Sequence, residues 1–379
     1  MSFSFTDEQT EFRSVLRRFL TEKSPTTEVR RLMETEDGYD PDIWRQLSQD
    51  LGVTGIHIPE DYGGQGFGFV ELAIVLEEMG RALLCAPYFS SIVLAATTIL
   101  NAGSEEQKRE LLPPLAAGDS RATLASTEEN GRWDTAGVAM TATEAEGGYR
   151  LNGVKSYVLD GHTAELIVVL ARAPGTSGDD GLSFFTVAAD AAGLTRRRLN
   201  GVDDTRKLAR LEFDAVPATL LGGEGSAAAP LAKTLDQAVA CLANEMVGGA
   251  EALREQALDY AQLRMQFGRA IASFQTMKHK SADMLIDVEL AKSAAYYAAT
   301  VADGDGEGED ELGAMASLAK AGAAEAYMQT AIHTIQIHGG IGFTWDNDTH
   351  LWFKRAKSSE VFLGDPSYHR ELMLQRWQD

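Results

Sequence analysis

The spacing of apolar residues changes twice along the chain and divides it into three parts. Over residues 1–119, apolar side chains recur three and four positions apart, which is typical of amphipathic helices. Thr6 and Gln9 have the spacing of a capping box, which predicts the start of a helix. Ser104 and Gln107 predict a second start in the same way. This part of the chain therefore predicts an N-terminal helical domain.

Between residues 120 and 225, short runs of strand-forming residues replace the helical spacing. Gly, Asp and Asn separate about seven such runs, and no helical pattern lies between them. Consecutive strands without intervening helices predict an antiparallel sheet or barrel. Because no GxGxxG motif opens a helix here, a Rossmann-type nucleotide site is not expected.

From residue 226 to residue 379 the helical spacing returns in long alanine-rich segments, at 229–263, 273–302 and 312–338. The acidic, glycine-rich stretch 303–313 has few apolar residues, which predicts a solvated loop between two of these helices. The whole pattern predicts a chain of mixed α and β class with three domains. Their predicted boundaries are 1–119, 120–225 and 226–379.

Composition and charge narrow the class of protein. The chain of 379 residues carries 34 Lys and Arg against 56 Asp and Glu, a formal net charge of -22. A nucleic-acid-binding protein needs basic patches for phosphate contacts, so this charge argues against one. Cys85 and Cys241 are too few for a disulfide scaffold, and their apolar surroundings predict two buried thiols. With no signal-peptide pattern and no apolar run of ~18 residues, a soluble cytoplasmic protein is expected.

Five motifs in a fixed order carry the most specific signal. They are PEDYGGQG to EEMGRAL (59–83), GSEEQKRELLPPLAAG (103–118), DTR (204–206), RMQFGRAIASFQ (264–275) and QIHGGIGF (336–343). Together they resemble the acyl-CoA dehydrogenase family, and the resemblance runs from the first helix to the last. Within that family the chain is similar to the heteromeric bacterial acyl-CoA dehydrogenases of steroid side-chain breakdown.

The resemblance implies both a fold and a reaction. The implied fold has an N-terminal helical domain, a central antiparallel β-barrel and a C-terminal four-helix bundle. Four chains, identical or of two kinds, form a tetramer that is a dimer of dimers. FAD is the implied cofactor, an acyl-CoA thioester is the substrate, and an electron-transfer flavoprotein or similar carrier accepts the electrons. The implied reaction removes an α proton and a β hydride and gives a trans-2-enoyl-CoA.

Cofactor and substrate contacts are implied at positions that match the family's motifs. Thr127 and Tyr157 match residues that contact the flavin ring, and Arg206 matches one that meets CoA or the thioester. The positions that match contacts to the FAD pyrophosphate and adenine are Arg264, Phe267, Phe274, Gln275, Gln336, Gly339 and Gly340, the last three donated across a dimer interface. Plainer interpretations are an ordinary ion pair for Arg264 or Arg206 and tight helix packing for the paired glycines. No metal site is implied.

The sequence departs from the family at the catalytic base. Many members carry a Glu before a Gly where this chain has Leu363, and a second group carries it where this chain has Ala238. Glu245 lies seven residues after Ala238 and shares its helix face, within about 20° and roughly 10 Å along the axis. We therefore predict Glu245 as the base, with space for a ligand beside it at Gly248 and Gly249.

Glu245 has an alternative role and two weaker rivals. A carboxylate on an apolar helix face is costly unless it is paired, so Glu245 can instead pair with a Lys or Arg of another helix. Asp365 and Glu360 are weaker candidates for the base. Leu363 cannot accept a proton, but its backbone N–H still matches the family's donor to the thioester carbonyl.

Two further departures leave three functions open. Trp133 and Leu159 stand where the family has small hydroxyl residues for pantetheine and flavin. The first function is a dehydrogenase with a pocket reshaped for a bulky or branched acyl group. The second is a non-catalytic subunit that contributes to a neighbour's FAD site. A flavin oxidase or monooxygenase on the same scaffold is the third and less favoured interpretation.

Overall fold

The computed structural model describes residues 5–304 and 311–378, and it confirms the predicted order of helices, strands and helices. Two compact units are present. The helical unit comprises Met1–Arg31, Phe69–Leu84 and Val239–Asp379, and the sheet unit comprises Leu32–Gly68 and Cys85–Ala238. The predicted boundaries at 1–119, 120–225 and 226–379 stay a prediction. Of the predicted loop 303–313, residues 305–310 lie outside the described residues.

Six α-helices precede the sheet in the described part of the chain. They are α1 (Asp7–Lys23), α2 (Thr26–Met33), α3 (Pro41–Arg45), α4 (Phe69–Arg81), α5 (Thr97–Ala102) and α6 (Glu105–Ala116). Both predicted capping boxes are confirmed. The Thr6 hydroxyl accepts from the Gln9 N–H at 3.2 Å, and the Ser104 hydroxyl accepts from the Gln107 N–H at 3.3 Å. Each box satisfies amide groups that the first turn of a helix leaves without partners.

Seven strands form one sheet in the sheet unit. They are β1 (Ala122–Ala125), β2 (Thr141–Ala145), β3 (Gly148–Leu159), β4 (Leu166–Arg172), β5 (Leu182–Ala188), β6 (Leu194–Leu199) and β7 (Leu208–Leu221). Most neighbouring strands are antiparallel, but β1 and β2 each pair with β4 in parallel. The prediction of an antiparallel sheet is therefore wrong for these two strand pairs. The β2–β3 hairpin lies between β1 and β4 along the chain and supplies the crossover that parallel strands need. Closure of the sheet into a barrel stays a prediction.

Five α-helices follow the sheet in the described residues. They are α7 (Ala228–Leu263), α8 (Gln275–Ala302), α9 (Leu312–His338), α10 (Thr349–Val361) and α11 (Pro366–Gln378), with a hairpin of β8 (Met265–Gln266) and β9 (Arg269–Ala270) after α7. In the helical unit α9 packs against α8, α10 and α11. The arrangement of four of these helices as a bundle stays a prediction. Across residues 5–304 and 311–378, no helix is long and apolar enough to cross a membrane.

The cysteines pack as the sequence predicts. Cys85 and Cys241 are both free and buried. Burial raises the pKa of the Cys241 thiol, because a thiolate in an apolar environment loses its hydration. Both residues are therefore part of the core.

Candidate functional site

Glu245, the predicted base, forms a buried ion pair in the helical unit. Its Oε1 accepts a hydrogen bond from Nη1 of Arg355 at 2.8 Å, which joins α7 to α10. Glu245 is 6% exposed and Arg355 is 4% exposed. Pairing offsets the high cost of removing each charge from water. Glu245 thus pairs with an Arg of another helix, as the alternative interpretation expects, and its role as a base stays a prediction.

Glycines bring α4 into backbone contact with α7 beside Glu245. A Cβ on Gly80 would lie 2.0 Å from the Glu245 carbonyl oxygen, and a Cβ on Gly248 would lie 1.9 Å from a carbonyl oxygen of α4. A Cβ on Gly249 would lie 2.4 Å from the Tyr327 hydroxyl. The predicted ligand space at Gly248 and Gly249 is therefore wrong, because other helices occupy it.

Two adjacent carboxylates of α4, Glu77 and Glu78, form a second buried ionic cluster. Arg13 lies 2.6 Å from Glu77, and Arg17 donates to Glu78 at 2.7 and 2.9 Å. The Tyr296 hydroxyl donates to Glu77 at 2.9 Å, and burial together with this carboxylate raises the tyrosine pKa. These contacts join α1, α4 and α8. Sequence reasoning missed the cluster, although two adjacent carboxylates within an apolar helix are a visible signal.

The turn between α10 and α11 contains Leu363. Leu363 is 5% exposed and has a left-handed backbone with φ +60°, and Gly364 follows with φ +108°. The two weaker candidates for the base flank this turn and have partners. Asp365 Oδ1 accepts from the Tyr368 N–H at 2.8 Å, and Glu360 pairs with a lysine one helical turn earlier.

Four predicted cofactor residues lie on or beside the β8–β9 hairpin. Phe267 lies at its tip with φ +52° and is 91% exposed, and its ring meets the Phe274 ring edge-on at 6.1 Å. Arg264 enters the hairpin and is exposed, and its carbonyl accepts from an N–H across the hairpin at 2.9 Å. Gln275 begins α8, and its amide nitrogen lies 2.9 Å from His279 Nε2. An exposed aromatic and an exposed guanidinium on one hairpin suit an anionic aromatic ligand.

The end of α9 gathers the other three predicted cofactor residues. Gln336 Oε1 accepts from Lys280 Nζ at 2.9 Å. Gly339 ends the helix with φ +68°, a conformation that favours glycine. A Cβ on Gly339 or Gly340 would have no atom of the described chain within 4 Å. Tight packing within the chain therefore does not explain these glycines.

In the sheet unit, Thr127 and Tyr157 lie on neighbouring segments that are tied together. The Thr127 hydroxyl donates to the Ser156 carbonyl at 2.7 Å, and the Ser156 N–H donates to the Thr127 carbonyl at 3.0 Å. The β3–β7 register shifts between Lys155 and Val158, and Tyr157 has φ +60° there. This bulge leaves Tyr157 44% exposed.

A buried ion pair lies directly beside these two residues. Lys155 is fully buried, and its ammonium donates to Glu128 at 2.8 Å and to the Ser126 carbonyl at 3.1 Å. Burial lowers the pKa of Lys155 to about 8, and Glu128 opposes part of that shift. The pair fixes the segment that carries Thr127. Sequence reasoning missed it, because the partners are 27 positions apart.

The remaining positions that the sequence singles out in the sheet unit are Arg206, Leu159 and Trp133. The Arg206 guanidinium lies over the Phe89 ring at 5.7 Å. Leu159 is buried, and its carbonyl accepts from the Thr123 hydroxyl at 2.6 Å. Trp133 is half-buried.

Comparison with known proteins identifies the class. Family models described as the acyl-CoA dehydrogenase N-terminal, middle and C-terminal domains match residues 6–119, 123–216 and 228–377. An acyl-CoA dehydrogenase of Bacillus subtilis is 31% identical over 373 residues, 96% of each chain. The structure of butyryl-CoA dehydrogenase from Megasphaera elsdenii covers 100% of both chains with TM-score 0.92 and 26% identity. The Tcur3481-Tcur3483 steroid ACAD variant covers 98% of both chains with TM-score 0.87 and 32% identity.

These matches, which span nearly the whole chain, define an oxidoreductase of the flavoprotein class. The chain belongs to the acyl-CoA dehydrogenase family, as its sequence motifs predict. Its similarity to the steroid ACAD also agrees with the resemblance, seen in the sequence, to the acyl-CoA dehydrogenases of steroid side-chain breakdown.

Proposed function

We propose that this chain catalyses the α,β-dehydrogenation of an acyl-CoA thioester to a trans-2-enoyl-CoA with FAD, and that an electron-transfer flavoprotein or similar carrier accepts the electrons. The observation that carries the proposal is the buried position of Glu245. It is a buried carboxylate of the helical unit, and it accepts a hydrogen bond from Arg355 at 2.8 Å. An ionised carboxylate can accept a proton, which the family reaction requires at the α carbon.

The residues present fit FAD. The β8–β9 hairpin offers Arg264 for the pyrophosphate and exposed Phe267 for the adenine, and Gly339 and Gly340 leave backbone open to a ligand. In the sheet unit the half-exposed ring of Tyr157 would hold the flavin by stacking. FAD, when bound, supplies the acceptor for the hydride of the β carbon. The proposed assembly is a dimer of dimers, in which Gln336, Gly339 and Gly340 serve a neighbour's cofactor.

The chain's own residues then have separate tasks. Arg206 meets the CoA or thioester end of the substrate, where a guanidinium suits an anionic or carbonyl oxygen. The Leu363 N–H donates to the thioester carbonyl and polarises it, which acidifies the α proton. Glu245 accepts that proton.

A second candidate is a non-catalytic partner subunit that completes a neighbour's FAD site. Three observations favour it. Glu245 already has a cationic partner at 2.8 Å, and Leu363 occupies the position of the family's usual base. The chain is also similar to a steroid ACAD whose name joins two components.

One experiment separates the candidates. The purified protein is titrated without oxygen with butyryl-, isovaleryl-, octanoyl- and palmitoyl-CoA and with a steroid-ring acyl-CoA, while the flavin absorbance is recorded. A dehydrogenase is yellow as purified, and one of these thioesters bleaches it. Flavin that appears only after coexpression with a second subunit supports the partner role. Rapid oxygen consumption without an added electron acceptor indicates an oxidase.

A further inference from the structure

The turn that carries Leu363 is held in an unfavourable backbone conformation. A left-handed φ of +60° is uncommon for a leucine and costs roughly 1–2 kcal/mol. Gly364 takes φ +108°, and a Cβ there would lie 2.4 Å from the Tyr368 ring. Such a conformation persists only where the surrounding structure fixes it.

Two buried side chains fix this turn through its carbonyl groups. The ammonium of Lys320, on α9, donates to the Gly364 carbonyl at 2.8 Å and to the Glu360 carbonyl at 3.2 Å. The His369 ring, on α11, places Nε2 2.9 Å from the Leu363 carbonyl oxygen. Lys320 is 0% exposed and His369 is 2% exposed. Three carbonyls of one short turn are therefore held from two different helices.

The protonation of His369 follows from its contacts. The Leu363 carbonyl can only accept, so Nε2 carries the hydrogen and Nδ1 is left as the acceptor. Ser317 Oγ lies 3.4 Å from Nδ1 and can donate to it. Burial and the nearby ammonium of Lys320 lower the pKa of His369 to about 4, so the ring is neutral near neutral pH. The remaining charged neighbours are Arg376, which also lowers this pKa, and Asp365, which raises it.

The Leu363 N–H itself has no acceptor in the described part of the chain. The N–H of Phe362 bonds to the Ser358 carbonyl, and the N–H of Gly364 bonds to the Val361 carbonyl. Among residues 5–304 and 311–378, the Leu363 N–H donates no hydrogen bond. A buried amide without a partner is rare and costly, and here it is surrounded by amides that have one.

We propose that His369 and Lys320 are positioning residues that hold the Leu363–Gly364 turn so that the Leu363 N–H is presented to an acyl thioester carbonyl. This inference rests on the proposed function, which supplies the carbonyl. His369 fixes the peptide group that follows Leu363, and Lys320 fixes the two carbonyls on either side. Neither side chain touches the substrate.

The test replaces His369 with residues of similar size that differ in hydrogen bonding. His369→Gln keeps an amide donor for the Leu363 carbonyl, whereas His369→Leu removes it. With the panel thioester that reduces wild type fastest, we expect His369→Leu to lower the limiting rate of flavin reduction ~10-fold or more. The dissociation constant for that thioester should change less than about threefold, and His369→Gln should recover most of the rate. A purely structural role for His369 would not produce this separation of rate from binding.

Controls keep the inference separate from the proposed function. FAD content and melting temperature are measured for each variant, and His369→Ala replaces His369→Leu if the leucine variant does not fold. A folded, FAD-loaded variant without the donor that keeps the wild-type limiting rate overturns the proposal. If no thioester reduces wild type, the proposed function fails. Hydrogen exchange of the 361–368 segment then tests the turn alone. Faster exchange in the variant without the donor, but not in His369→Gln, supports the proposal that His369 holds the turn. Equal exchange in all variants overturns it.

Discussion

The guanidinium of Arg355 and the carboxylate of Glu245 form a buried ion pair that joins α10 to α7, with 2.8 Å between Nη1 and Oε1. Removing one partner leaves the other charge buried. We expect Arg355→Met to lower the free energy of unfolding by ~3–5 kcal/mol in urea titrations. Arg370→Met is the control, since Arg370 and its partner Glu325 are each 51% exposed, and it should cost less than ~1 kcal/mol.

A double variant tests the coupling of this pair. Combining Arg355→Met with Glu245→Gln removes both charges, so the double variant should be more stable than the sum of the single effects predicts. Strictly additive effects would mean that the two groups do not stabilise each other.

The contact between α4 and α7 should tolerate no side chain at Gly248. A Cβ there would lie 1.9 Å from the Glu77 carbonyl oxygen, so Gly248→Ala must push two helix backbones apart. We expect a loss of ~1–3 kcal/mol in the free energy of unfolding. Gly322→Ala is the matched control, because Gly322 is also helical and its Cβ would meet no atom within 4 Å. That control should gain ~0.5–1 kcal/mol. Equal effects in both variants would refute the close crossing.

The buried side chain of His57 should make the free energy of unfolding depend on pH in the acid range. Burial lowers its folded pKa to about 4, whereas an unfolded histidine titrates near 6.5. As the pH falls from ~6.5 towards ~4, the unfolded chain binds the proton first, so stability is lost over this window by up to ~3 kcal/mol. His57→Gln keeps an amide near the Thr97 hydroxyl, which lies 3.1 Å from the histidine Nε2, and should flatten the curve. The measurement is the free energy of unfolding in urea at several pH values across this window. If it depends on pH as steeply in His57→Gln as in wild type, the assignment is contradicted.

Tyr157 should contribute to FAD binding through its ring and not through its hydroxyl. It is 44% exposed on a bulge of β3. Tyr157→Ala should weaken FAD binding ~3- to 10-fold in a fluorescence titration, because an aromatic stacking partner is lost. Tyr157→Phe keeps the ring and should bind as wild type does. Wild-type affinity in Tyr157→Ala would remove Tyr157 from the site.

The sequence predicts the elements of the fold well where spacing is long and regular. The segment 229–263 corresponds to α7 at Ala228–Leu263, and the segment 312–338 corresponds to α9 at Leu312–His338. The parallel pairing of β1 with β4 is missed, because strand direction depends on the path of the chain and not on local composition.

The candidate site is predicted less completely than the fold. The family resemblance points to Phe267 and its neighbours, and the structure places Phe267 at the tip of a hairpin, but its role in cofactor binding stays a prediction. Local sequence does not indicate the partners of Glu245 and Lys155, because Arg355 and Glu128 lie 110 and 27 positions away along the chain. Gly248 illustrates a further limit. A glycine is compatible with either an open space or a close contact, and the structure shows the contact.

The most direct test of the central claim is the limiting rate of flavin reduction in Glu245→Gln. The control is Glu251→Gln on the same helix, where the carboxylate pairs with Arg254 at 2.6 Å. With the thioester that bleaches wild type, Glu245→Gln should retain FAD and bind the thioester but reduce flavin at least ~100-fold more slowly, while Glu251→Gln should remain close to wild type. Wild-type reduction in folded, FAD-loaded Glu245→Gln would show that another group removes the α proton.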